Sequence, residues 1–82
     1  MHDNIIIISS QQWSLLQKQL TKDYGRAVAL LNNERQKTLG MITKTWAKYD
    51  SKNNQFFQEV ALIFNNEYLK TMFLIKYGNI IL

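Results

Sequence analysis

The chain contains no cysteine. Disulfides and thiolate metal sites are therefore excluded, and a chain of 82 residues must be stabilised by packing alone or with help from association. Histidine is almost missing too. The single one, His2, lies in a terminus expected to fray, and one imidazole cannot build a histidine metal centre or a dependable catalytic triad. Proline is absent, and no linker or low-complexity tract interrupts the chain, so residues 1–82 read as one small domain. The three glycines, Gly25, Gly40 and Gly78, stand alone, which rules out a phosphate-binding loop or a dinucleotide fingerprint. The apolar runs are short. Residues 60–64 fall far below a membrane span, and residues 5–8 are too few for the core of a signal peptide. The expectation is a cytoplasmic chain with no membrane segment, no metal and no cofactor.

What is present argues for a packed core. Hydrophobic residues make up 46% of the chain, and two Trp, four Tyr and four Phe are too aromatic for a disordered segment. Ten Lys and Arg against six Asp and Glu leave a formal charge of +4, compatible with ordinary solubility or with an anionic partner. Asn, Ile and Lys are abundant, at eight, nine and eight residues, and their A/T-rich codons suit a phage or other mobile element.

Three Asn-Asn pairs, at 32–33, 53–54 and 65–66, punctuate the last two thirds of the chain. Asn tolerates positive φ better than other non-glycine residues, so a doubled Asn between β-prone stretches predicts a hairpin turn. The resulting expectation is an α+β fold: an N-terminal strand over 5–8 buried on both faces, one amphipathic helix, then an antiparallel meander of about four strands. The strands are placed at 26–31, 37–49, 56–64 and 69–77, with Gly40 as a bulge. The helix has the clearest signals. Ser9 and Gln12 have capping-box spacing, Ile8 and Trp13 the spacing of a hydrophobic staple, and Gly25 fits the residue after the C-terminus. Trp13, Leu16, Leu20 and Tyr24 form its apolar stripe. A small all-α bundle is the alternative, because Tyr68, Met72 and Ile75 also fall at helical spacing.

The carboxylates Asp3, Asp23, Asp50, Glu34 and Glu67 fall beside expected turns or termini, where they serve as caps. Glu59 lies inside a strand and is expected to face outward and pair with a cross-strand Lys. No acid, base and nucleophile are gathered by any motif, so the expected function is non-enzymatic. The leading expectation is a regulator or inhibitor that occupies a protein partner. Surplus apolar residues motivate it: Met72 and Leu74, rimmed by Lys70 and Lys76, would share one face of the last strand. A homodimer is compatible with such surplus surface and with unpaired strand edges. The alternative is a nucleic-acid-binding domain. Lys44, Trp46 and Lys48 would project from one strand face, with Arg35 and Lys37 extending a basic rim from a loop. Against it stands the simpler reading in which Trp46 packs beneath the helix and the lysines snorkel around it.

Overall fold

The computed structural model describes residues 4–82. His2 and Asp3 lie outside the described residues. The α+β class holds, and the element order is β1 (Ile5–Ser9), α1 (Ser10–Tyr24), α2 (Arg26–Leu30), α3 (Asn32–Leu39), β2 (Met41–Asp50), β3 (Gln55–Phe64) and α4 (Glu67–Ile81).

α1 forms where its sequence signals place it. The Ser9 hydroxyl accepts the Gln12 N–H at 3.1 Å, and the Gln12 side chain accepts the Ser9 N–H at 2.9 Å, so both halves of the capping box are made. Gln12 does more: its amide donates to the Ile81 carbonyl at 2.9 Å, tying the start of α1 to the end of α4. Leu16 and Leu20 are fully buried, with Trp13 packed against the same core. Gly25 ends the helix at φ 99°, a backbone conformation that L side chains rarely adopt.

The four-stranded meander is not what forms. The sheet has three strands in the order β1-β3-β2, antiparallel throughout. Residues 26–30 and 69–77, expected as strand, lie in α2 and α4, and residues 32–39, expected as a turn and the start of the 37–49 strand, form α3, so one helix becomes four. Only one Asn pair closes a hairpin: Asn54 adopts φ 52° in the turn between β2 and β3. Asn66 instead caps α4, accepting the Leu69 N–H at 2.9 Å from an extended backbone. Asn32 opens α3. Gly40 is no bulge; at φ 64° it is the left-handed residue that terminates α3. A Cβ there would sit 2.5 Å from the Leu69 side chain, so the residue also marks a close approach.

β1 is an edge strand, and the expectation that it is buried on both faces fails. Ile8 is buried while Ile7 is 55% exposed. Cα partners across a ladder share a face, which sorts the sheet cleanly. One face carries Ile8, Met41, Val60, Leu62 and Phe64, all buried in the core with Leu16 and Leu20 of α1 and Phe73, Tyr77 and Ile81 of α4. Phe64, Phe73 and Tyr77 form a run of ring contacts at 5.2 and 4.7 Å. The other face carries Ile5, Ile7, Ile42, Lys44, Trp46, Phe57, Glu59, Ala61 and Ile63.

The hairpin outruns the helices. Residues 44–49 and 55–58 are exposed, whereas residues 60–62 are buried. The molecule measures 39 Å along its longest axis. The radius of gyration is 13.1 Å, above the roughly 12 Å of a compact chain of this length.

Candidate functional site

Three regions bring together polar or apolar groups beyond what the core needs. The first is the joint between α1, α2, α3 and β2. Arg35, expected on an exposed loop, is instead buried at 3% exposure inside α3. Its guanidinium donates to the Val28 and Ala29 carbonyls at 3.0 and 2.7 Å, to the Asn32 side-chain oxygen at 2.7 Å, and to the Thr43 hydroxyl at 3.0 Å. The Trp13 ring lies 5.2 Å from the guanidinium carbon. No carboxylate among the described residues pairs with it. The charge is met by carbonyls at the C-terminal end of α2, where the helix dipole is negative. Burial lowers its pKa from the ordinary 12.5. Arg35 thus belongs to the fold's interior and cannot extend a basic rim. Lys37 is exposed on α3 and pairs with Glu34 at 3.6 Å.

The second region surrounds α4. Lys70, Met72, Leu74 and Lys76 do not share a face, because residues two apart point in widely different directions on a helix. Leu74 packs against the core. Met72 and Lys76, four apart, do lie together. Beside Met72 stand Tyr68 and Ile75, giving an apolar stripe exposed at 69, 47 and 74% for Tyr68, Met72 and Ile75. The stripe borders a groove of about 310 Å³ lined by Tyr24, Leu39, Leu69, Met72, Ile75 and Lys76, among others. At the side of this groove, Tyr77 donates to Asp23 at 2.6 Å. Lys76 donates to the Tyr24 hydroxyl at 3.2 Å and approaches Asp23 at 3.9 Å. The Tyr77 hydrogen bond holds the Asp23 carboxyl below its ordinary value of 3.8, helped by Gln19 and the nearby lysines against a smaller effect of burial. Burial, then the bond to Asp23, pushes the Tyr77 phenol far up. The hydrogen bond to Tyr24 likewise raises Lys76. These directions favour a charged Asp23 and Lys76 and a neutral Tyr77 near neutral pH, and the bonds of the cluster fasten α1 to α4.

The third region is the open sheet face. Lys44, Trp46 and Lys48 do lie on it together, opposite the helices. Trp46 is 39% exposed, which overturns the reading that packs it beneath α1. Its indole donates to Glu59 at 3.2 Å, and Lys48 approaches the same carboxylate oxygen at 3.9 Å. Glu59 is therefore the outward strand residue with a cross-strand Lys that its position implied. Phe57, directly across from Lys48, is 45% exposed.

Among the described residues no three His, Cys, Asp or Glu side chains gather as metal ligands, and no helix is long and apolar enough to cross a membrane. Comparison with family models, curated proteins and solved structures gives no match.

The stripe on α4 was present in the sequence as the 68, 72, 75 spacing. The buried Arg35 had no sequence signal of its own, since an Arg in the polar stretch 32–37 reads as solvent-facing.

Proposed function

We propose that this chain is a small non-enzymatic binding protein, a regulator or inhibitor that acts by occupying the surface of a protein partner. The observation that carries the reading is the Tyr68, Met72 and Ile75 stripe of α4, uncovered beside an apolar groove. A lone exposed apolar side chain is ordinary, but a row of them along a groove marks a docking surface. Met72 and Ile75 supply anchors, Tyr68 adds an aromatic with a polar tip, and Lys76 borders the patch. The mechanism is steric, and a cytoplasmic, phage or mobile-element setting suits the composition. The test is a tagged capture from source-cell lysate with and without nuclease, using the parent and Met72→Glu/Ile75→Glu. A partner that survives nuclease and disappears with the double variant, itself shown folded by circular dichroism, supports the reading. Capture unaffected by the double variant removes α4 as the site.

The open face favours a second reading, nucleic-acid binding through Lys44, Trp46 and Lys48. An exposed Trp between two cations can stack on a base while the ammonium groups meet phosphate. Arg35 drops out because it is buried. Trp46→Ala should stay folded, given its exposure, and lose nucleic acid with a log-linear dependence on salt in the parent. Binding unchanged in Trp46→Ala rejects this site.

A further inference from the structure

β2 is an edge strand, and its outer edge is closed at one place by a side chain. The Thr43 N–H donates to the Asn32 side-chain oxygen at 2.9 Å, and the Asn32 amide donates to the Thr43 carbonyl at 3.1 Å. Asn32 thus makes the two bonds a neighbouring strand would make. In an antiparallel ladder both backbone groups of one residue point the same way and alternate along the strand. Thr45, Ala47 and Tyr49 therefore direct their N–H and C=O groups to the same outer edge as Thr43. No strand among the described residues pairs with them, and every residue from 44 to 49 is exposed. The open stretch is bounded by Asn32 at one end and by the turn after Asp50 at the other, so its midpoint is Ala47.

We propose that this stretch pairs with the same stretch of a second copy, antiparallel about a two-fold axis at Ala47. The occupant is argued from complementarity. Centring the axis there sets Thr45 opposite Tyr49 of the second copy and Ala47 opposite Ala47, all with backbone groups facing the seam, for about six hydrogen bonds. On the open face the same register sets Lys44 opposite Asp50 and Trp46 opposite Lys48, each twice by symmetry. Opposite charges and a cation beside an aromatic meet at the closely spaced, non-hydrogen-bonded positions of the seam. The smallest side chain of the stretch lies on the axis. Asp50 already accepts from the Lys52 N–H at 3.0 Å and the Asn53 amide at 2.7 Å, which fixes its carboxylate at the end of the strand. Moving the axis to Thr45 would demand the edge that Asn32 occupies, and moving it to Tyr49 would run the pairing into the turn. Two three-stranded sheets would become one of six. The pairing rests on neither functional reading above.

The absence of cysteine makes the register testable with single thiols. Directly opposed Cα atoms in a hydrogen-bonded pair are about 5.5 Å apart, within reach of a disulfide. Two copies of Thr45, four residues out of register, would be about 14 Å apart and beyond it. Under mild oxidation, Ala47→Cys should cross-link to a dimer, Thr45→Cys alone should not, and a mixture of Thr45→Cys with Tyr49→Cys should. Sedimentation of the unaltered chain should give twice 9.7 kDa, and Ala47→Pro, which removes an outward N–H that no β3 residue accepts, should weaken association at least about tenfold. A monomer at about 100 μM in sedimentation equilibrium, or equal cross-linking of Ala47→Cys and Thr45→Cys, overturns the proposal. Circular dichroism of each variant separates loss of pairing from loss of fold.

Discussion

Arg35 shows how much one side chain can carry in a chain with no disulfide. Its four donated bonds reach two helices and a strand. Its Nε, also buried, has no partner among the described residues. The planar fork matches acceptors that a single ammonium cannot reach together. Arg35→Ala should therefore cost about 3 kcal/mol, since it strands the Val28 carbonyl and empties volume beside Trp13. Arg35→Lys should recover only part of that. Urea midpoints of the two variants check the order; equal and small losses would mean the carbonyls find water instead. Asn32 is the companion case, because one amide serves both the guanidinium and the β2 edge. Neither role is legible in residues 32–35, where a polar run looks like a solvated loop.

Among elements, α1 and α4 teach opposite lessons. α1 was readable to the residue, because a capping box, a polar side and a closing glycine all agree. The sequence predicts a strand where α4 forms, because apolar residues surround it. Its core side holds Phe73, Tyr77 and Ile81, and its outer side holds Tyr68, Met72 and Ile75. With no polar face, the 3.6-residue period is masked and the alternation of 69–77 looks like a strand. The feature that hides the helix is the one that leaves Tyr68, Met72 and Ile75 exposed. The doubled Asn residues misled for a related reason: Asn favours left-handed turns and helix N-caps alike, so a pair marks a reversal without saying which. The joint between the two helices should respond to acid. The folded Asp23 carboxyl titrates below its ordinary 3.8, so its contribution is complete above that value and is lost as pH falls through the lowered one. Urea midpoints measured from roughly pH 5 down to pH 2 should therefore fall less steeply for Asp23→Asn than for the parent. Parallel profiles would show that Asp23 adds nothing to acid stability.

At the scale of the whole molecule, stability should be uneven. The end with α1 and α4 buries Val60, Leu62 and Phe64, while the hairpin arm has little beneath it beyond contacts such as Tyr49 with Phe56, at 5.0 Å between ring centroids. In dilute solution, amides of the arm should exchange about a hundredfold faster than those of Leu62 and Phe64. Uniform protection by hydrogen-exchange mass spectrometry would show the arm to be as rigid as the body. The class, the first helix and the two long strands are legible in the sequence, but the strand order is not, since order depends on contacts between distant residues. That order has a kinetic corollary. β2 and β3 are joined by a short turn and can meet early, whereas Ser9 must find Glu59 across about fifty residues of intervening chain. The first strand in sequence should thus be the last to be seated, with the gathering of α1, α2 and α3 around Arg35 shortening its search.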